Sequence, residues 1–419
     1  MNPAPLDEPG RPSGLALHTK HLRAFLSVCR EGSVTQAGEQ LRRAQSAISR
    51  SVHELEAALG VELFERNARG MLPTDFGRAL LQRAEIAFQE MDTARGTLAE
   101  IAQDQGLRLR NAPVFSLAVT ERRLDVLLAF AERGHMGAVA QRLGVSQPAV
   151  SMALRDLEAG VGLPLFDRSA SGVGLTPAGA RLLFHVKRAL SQLRIAGAEL
   201  SAMKGVVEGH IVVGALPFGR PYMLPVAIAR LLREHPRLQV TTVEGPLDTL
   251  AAGVRSGDVD FVLGALPRAG RPVELVREEL FSETMAVFVR AGHPLAQRPG
   301  LRLEDALRAD WVLSRNGTPT REALAAVFAS LGLPQPRVAV QSSDLSIIRG
   351  LLLETDMVSA ASRQLFHHEL QDGTLVTLPI RLPGTSRPIG ILRRTQDHSS
   401  PGAQLLIEEL RRVPAMPAD

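Results

Sequence analysis

The chain has 419 residues, 45% apolar and 22% charged, with 48 Lys and Arg against 44 Asp and Glu. That length exceeds one core and sets an expectation of about three domains, while the lack of any run of about 18 apolar residues excludes an obvious bilayer span. A single cysteine, Cys29, excludes an intrachain disulfide and zinc sites built from cysteine clusters.

The opening MNPAPLDEPGRPSG is rich in Pro and Gly and lacks the apolar core of a signal peptide, so residues 1–19 read as a disordered tail. With no export signal and one thiol, the reducing cytoplasm is the expected compartment. Only Lys20, Lys187 and Lys204 are lysines, and an arginine bias with a net charge of +4 says little by itself about nucleic acid.

In RRAQSAISRSVHELE, Arg42 to Glu56, the residues Ile48, Val52 and Leu55 share one helical stripe and leave Gln45, Ser46, Ser49, Arg50 and His53 on the opposite face. A wing, ERNARGMLPTDFG, follows with Arg66 and Arg69. Downstream, GVSQPAVSMALRDLE, Gly144 to Glu158, aligns with the first stretch without a gap at a spacing of 102. Leu22 then falls on Leu124, Leu63-Phe64 on Leu165-Phe166, Arg66 on Arg168, Thr74 on Thr176 and Gly77 on Gly179, so a whole unit is repeated.

The second copy predicts a helix from Leu124 to Glu132, a short helix from about Gly137 to Leu143, a turn at Gly144-Val145 and a third helix capped by Ser146. Val150, Leu154 and Leu157 form its buried stripe, and Gln147, Pro148, Ser151, Met152 and Arg155 its exposed face. Small hydrogen-bonding residues at the exposed start of such a helix suit a DNA major groove, with Arg168 in the following wing placed for phosphate. From periodicity alone, a three-helix protein-interaction module stays open beside DNA binding.

The stretch AVAQRLGVSQPAVSMALRDLEAGVGLPLFDR…LTPAG resembles the N-terminal winged helix-turn-helix of LysR-type transcriptional regulators. The resemblance implies a multidomain chain: winged helix-turn-helix, linker helix and an α/β effector domain built like a periplasmic binding protein from two sub-domains. That family usually has one such head, and this chain departs from the pattern with two. In the first copy Ala44 replaces the N-cap serine and Arg42 the turn glycine, which weakens the motif, while Arg50 in place of Met152 strengthens its polar face. Two readings therefore stay open: both copies bind DNA, or the first is a structural or protein-interaction module.

Along the second linker helix Leu183, Val186, Leu190, Leu193, Gly197 and Leu200 form a heptad seam suited to dimerisation; the same frame in the first gives Leu81, Ala84, Phe88, Met91, Arg95 and Leu98. A seam closing within one chain, making a pseudo-dimer, is the alternative.

From Gly209 strands alternate with helices, which predicts a mainly parallel sheet with ligands at loops beyond the strand ends, Leu216 to Arg220 and Gly264-Ala265. The LysR resemblance implies crossovers near Phe281-Glu283 and Thr374-Pro379. It implies an effector cleft lined by Pro217, Phe218, Pro246, Leu247, Asp248, Gly264, Thr318, Pro319, Thr320, Ser359 and Ser362. VEGPLDTLAAGVRSGDVDFVLGALP and LPGTSRPIGILRR look most like the subgroup that includes a sugar-binding-protein regulator.

The expected division is first head 20–75, first linker helix 76–103, connector 104–120, second head 121–177, second linker helix 178–204 and effector domain 205–412, then a tail 413–419. Within it, sub-domain I takes about 205–282 and 380–412, and sub-domain II about 283–379. His367-His368 lacks the i, i+4 spacing of a helical metal site, and no phosphate loop or nucleophile elbow occurs, so no catalytic residue, cofactor or metal is assigned. The expected partners are double-stranded promoter DNA, a small sugar-derived or anionic effector, further copies of the chain as dimer or tetramer, and RNA polymerase, with no membrane.

Overall fold

The computed structural model describes residues 19–67, 70–117, 121–169, 172–266, 274–395 and 399–414, so the terminal tails outside these and Arg69 lie outside the described residues. Three helices, α1 (Thr19–Glu31), α2 (Val34–Leu41) and α3 (Gln45–Leu59), lead to a hairpin of β1 (Phe64–Asn67) and β2 (Gly70–Pro73) and then to the long α4 (Asp75–Asp104). The order recurs with α5 (Glu121–Arg133), α6 (Met136–Leu143), α7 (Gln147–Val161), β3 (Phe166–Ser169), β4 (Gly172–Leu175) and α8 (Pro177–Met203).

Local chemistry repeats with the elements. Thr74 and Thr176 cap α4 and α8, accepting from the amides of Gly77 and Gly179 at 3.0 and 3.1 Å while donating to the Glu62 and Pro164 carbonyls at 2.7 Å. Both glycines are demanded by close approach: an added Cβ would lie 2.2 Å from the Leu63 carbonyl oxygen at Gly77 and 2.0 Å from that of Leu165 at Gly179. Each hairpin is thereby pressed onto the start of its long helix.

The two long helices pack antiparallel against each other and share one core with both three-helix groups. On α4 the buried stripe is Leu80, Ala84, Ala87, Met91, Ala94 and Leu98; on α8 it is Leu182, Val186, Ala189, Leu193, Ala196 and Leu200. Each residue of the first is the partner of one in the second under the 102-residue repeat, so the contact is a pseudo-two-fold one inside a single chain. The seam predicted for pairing with another copy is thus occupied by the chain's own α4. Val186 and Leu193 lie in it, Leu183 borders it at 9% exposure and Leu190 is only partly buried. The predicted frame on α4 is also corrected: Arg95 faces outward and pairs with Asp92.

After α8 come β5 (Gly209–Ala215), α9 (Met223–Glu234), β6 (Leu238–Val243), α10 (Leu247–Ser256), β7 (Phe261–Ala265) and β8 (Val276–Glu283). The chain then enters a second lobe of β9 (Met285–Arg290), α11 (Leu303–Ala306), β10 (Trp311–Leu313), α12 (Pro319–Ser330), β11 (Val338–Gln341), α13 (Leu345–Glu354), β12 (Ser359–Ser362), α14 (His367–Gln371) and β13 (Leu375–Leu378). It returns through β14 (Arg387–Arg393) and α15 (Pro401–Arg412).

Lobe I is a sheet of order β6-β5-β7-β14-β8, parallel through β5 and antiparallel where β14 returns, with α9 and α15 on one face and α10 on the other. Lobe II has β9 between β12 and β13, both antiparallel to it, so the expected mainly parallel pattern survives there in β10 and β11 and in a parallel bridge between Trp311 and Val358. The first crossing lies at Thr284. The second follows β13, over residues 379–386, later than the expected start at Thr374, because Leu375 to Leu378 pair with β9.

Candidate functional site

On α3, Ile48, Val52 and Leu55 are buried, and Gln45, Ser46, Arg50 and His53 are exposed with Ser49 half-buried. On α7, Val150, Leu154 and Leu157 are buried, and Ser146, Gln147, Pro148, Met152 and Arg155 are exposed with Ser151 half-buried. The two helices thus present the faces that their apolar spacing predicts. A shallow groove of about 320 Å³ between α1 and α3 is lined by His21, Arg43, Ser46, Arg50 and Glu54. Arg66 and Arg168 occupy matching register positions on the hairpins, opposite Met71 and Val173.

The turns before these helices differ. Gly144 takes the left-handed conformation (φ 62°, ψ 36°) and Ser146 accepts from the Ala149 amide at 3.3 Å. In the first unit Arg42 is forced into the same conformation (φ 52°, ψ 45°), and Ala44 caps nothing. The backbone path is retained and the local cost is higher.

Glu56 and Glu158 were not assigned a role from sequence. Each carboxylate accepts the backbone N–H at the entrance to its hairpin, Leu63 and Leu165 at 2.9 Å, which fixes the wing against the exposed helix. Their signal was present in the repeat, at the last position of both quoted stretches.

Polar pairs close the edges of the helix seam. Arg83 donates from Nε to Glu199 at 3.0 and 3.1 Å and from Nη1 to Gln192 at 3.3 Å. The other edge joins Glu90 to His185 at 2.9 Å and to Arg188 Nε at 2.7 Å. Burial pushes the Glu90 carboxyl up, but the His185 hydrogen bond and the Arg188 charge outweigh it and hold it below the usual range. The far side of α8 docks on lobe I through Lys187 to Asp258 (2.6 Å), Arg188 to Glu274 (2.9 Å) and Arg194 to Asp260 (3.1 Å). Arg394, almost fully buried there, donates to Ser191 at 3.0 Å, and desolvation pulls its guanidinium down to about 10.

Between the lobes a polar network joins two of the predicted cleft residues. Arg387 reaches Glu283 through Nε at 3.0 Å and Nη2 at 2.9 Å, and Thr320 through Nη1 at 3.1 Å, while the fully buried Ser362 donates to the second Glu283 oxygen. Burial raises the Glu283 carboxyl above its ordinary range against the pull of Arg387 and Ser362. Nearby, Tyr222 of lobe I stacks on His367 of lobe II, ring centres 3.6 Å apart, and Gln364 is buried with neither amide atom partnered.

The other predicted cleft residues spread out. Phe218 is buried against Phe281, Pro217, Pro246 and Asp248 are exposed at element starts, and Leu247 joins the core beneath α10. Gly264 lies close to Leu216; Thr318 caps α12, accepting from the Arg321 amide at 3.3 Å, with Pro319 exposed beside it. Ser359 donates to the Val312 carbonyl at 2.8 Å inside lobe II, so its hydroxyl is engaged away from the cleft. Glu283 and Arg387, missed from sequence, are 104 positions apart and meet only when the chain has crossed between lobes twice.

Among the described residues no helix is long and apolar enough to cross a membrane. Residues 19–78 and 122–180 match the model for bacterial regulatory helix-turn-helix proteins of the lysR family, and residues 204–415 the model for the LysR substrate binding domain. The transcriptional regulator GalR of Pseudomonas putida is 45% identical over 392 residues, covering 94% of this chain and 96% of the relative. The regulator GbpR of Azospirillum brasilense is 31% identical over 292 residues, covering 69% and 85%. Among solved structures, full-length OxyR from Pseudomonas aeruginosa aligns with a TM-score of 0.54 at 26% identity, over 70% of this chain and 95% of that one. CbnR in complex with its target DNA, at 22% identity and TM-score 0.50 over 70% and 98%, shares the fold.

Proposed function

The chain belongs to the LysR family of DNA-binding transcriptional regulators with an effector-binding domain, and from that premise we propose that both of its helical heads read promoter DNA. The observation that carries the reading is the repeat itself: the exposed faces of α3 and α7, both hairpins and both seam stripes recur at equivalent positions, with Gln45 on Gln147, Ser49 on Ser151 and Arg66 on Arg168. The reading residues are Gln45, Ser46, Ser49, Arg50 and His53 in the first head and Ser146, Gln147, Pro148, Ser151, Met152 and Arg155 in the second. Wing arginines Arg66, Arg69 and Arg168 take phosphate.

The division into two heads, two linker helices and a two-lobed effector domain belongs to the same proposal. A small hydroxyl-rich or anionic effector enters between the lobes and meets Phe218, Thr320, Ser362, Glu283 and Arg387. Lobe movement reaches the heads through the ion pairs that bind α8 to lobe I, so the ligand shifts a population of DNA-binding geometries and no covalent chemistry is performed. The protein acts in the cytoplasm, with further copies of itself and RNA polymerase as partners.

A footprint on the DNA upstream of the protein's own gene tests the reading, comparing wild type with Ser49→Ala/Arg50→Ala and Ser151→Ala/Arg155→Ala. Loss of a different protected segment in each pair is expected. Loss confined to the second pair reduces the first head to a structural module.

A further inference from the structure

We propose that one chain acts as a covalently joined pseudo-dimer that reads two unlike half-sites, guanine opposite Arg50 in one and thymine opposite Met152 in the other, giving its operator a direction. The inference rests on both heads reading DNA and goes further, to what each reads and how many chains are needed.

The first support is the seam. In a two-fold dimer the same stripe on each subunit meets its copy, and here Leu80, Ala84 and Met91 meet the stripe of their repeat equivalents Leu182, Val186 and Leu193 without a second chain. The ends of the helix pair repeat the relationship. Lys204, just beyond α8, donates to the Leu59 carbonyl at the end of α3 at 3.2 Å, while Arg110, beyond α4, donates to the Ala159 carbonyl near the end of α7 at 3.1 Å. Each reading helix is therefore fastened to the far end of the other head's linker. A helix the length of α4, 30 residues, is about 45 Å long at ~1.5 Å per residue, the scale that separates successive major-groove faces at roughly 34–36 Å.

The second support is what differs between the faces. Gln45 and Gln147 are equivalent, as are Ser49 and Ser151, so both half-sites share the bases these residues meet; glutamine pairs with adenine N6 and N7. At the next position, Arg50 stands where the second head has Met152. Arg50 is exposed and forms no ion pair among the described residues, leaving its fork free for guanine O6 and N7. Met152 is 58% exposed, an unbranched apolar side chain beside the polar Ser151, suited to a thymine methyl and unable to pair with guanine. Because the effector domain follows only α8, the two ends of such an operator also differ in what stands above them.

Selection of binding sites from random duplexes by the full chain, followed by measurement of chains per duplex in sedimentation, tests this. The expected motif has two inverted half-sites with a common glutamine position, guanine in one and thymine in the other, bound by one chain per duplex. Replacing that guanine lowers wild-type affinity about ten- to a hundredfold, and Arg50→Met abolishes the preference while Met152→Arg makes both half-sites guanine-bearing. A symmetric motif with both half-sites protected overturns the inference while leaving two DNA-reading heads intact, as does a need for two chains per pair. A single selected half-site, sensitive only to changes in α7, overturns both.

Discussion

His185 Nδ1 on the second linker helix lies 2.9 Å from a carboxylate oxygen of Glu90 on the first, and the other oxygen of Glu90 takes Arg188 Nε at 2.7 Å. One carboxylate therefore holds two neighbours at the edge of the seam, and removing it takes the partner from the buried His185 and leaves Arg188 with Glu274 alone. Glu90→Ala is expected to cost about 2 kcal/mol in denaturant unfolding at neutral pH. Because the folded-state pKa of Glu90 is depressed, its contribution is full above the unfolded value and is lost as pH falls through the folded value. The gap between wild type and Glu90→Gln therefore narrows below about pH 4. A gap that stays constant down to pH 2 contradicts the pairing.

The first head carries two local defects that the second lacks. Arg42→Gly removes a side chain from left-handed backbone and Ala44→Ser supplies the missing cap, each worth about 1 kcal/mol. Hydrogen exchange of the α3 amides should slow in the double variant, while α7 amides stay unchanged. In reverse, Gly144→Arg should loosen α6 and α7 by about 1 kcal/mol. Faster exchange in α3 of the double variant would show that Arg42 gains more from its position than its backbone loses.

Much of this was legible in the sequence because it is local. The stripes of α3 and α7 follow from apolar spacing, and the Thr74 and Thr176 positions repeat at equal spacing. The seam frame on α4 was not. Two heptad frames share Ala84, Met91 and Leu98, and large Leu81 and Phe88 made the wrong one look more apolar. The α4–α8 contact instead buries small residues, Ala87 and Ala94 on α4 and Ala189 and Ala196 on α8, which a hydrophobicity argument undervalues. Glu283 with Arg387 was illegible for another reason, since nothing in either residue's neighbourhood names a partner across two crossings. Ser359 was misjudged because a serine's hydroxyl can serve a core carbonyl as readily as a ligand.

Cys29 offers a check on how well the first head is packed. Burial, reinforced by the charge of Glu85, pushes its thiol up to about 12, so almost no thiolate exists at pH 7.5. Iodoacetamide should therefore label native Cys29 far more slowly than the unfolded chain. Glu85→Gln should accelerate labelling modestly by lowering the pKa. Native and unfolded rates that coincide would mean that α1 does not hold the thiol in the core.

The last prediction concerns Glu283 and Arg387, the lobe I side of the network between the lobes. Glu283 is buried and its carboxyl is already raised with Arg387 beside it, so Arg387→Met leaves a buried carboxylate without its cation and raises it further. An acid whose folded-state pKa is raised supports the fold while protonated and loses that support as pH rises through the folded value. Arg387→Met is therefore expected to cost about 3 kcal/mol near pH 8 and much less near pH 5, read as the difference in denaturant midpoints from wild type. Adding Glu283→Gln removes the charge that must be neutralised. The double variant should then lose the pH dependence and recover most of the stability, since an uncharged amide can still accept from Ser362. A single variant whose loss does not change between pH 5 and 8 would mean that Glu283 finds another cation or opens to solvent when Arg387 is gone.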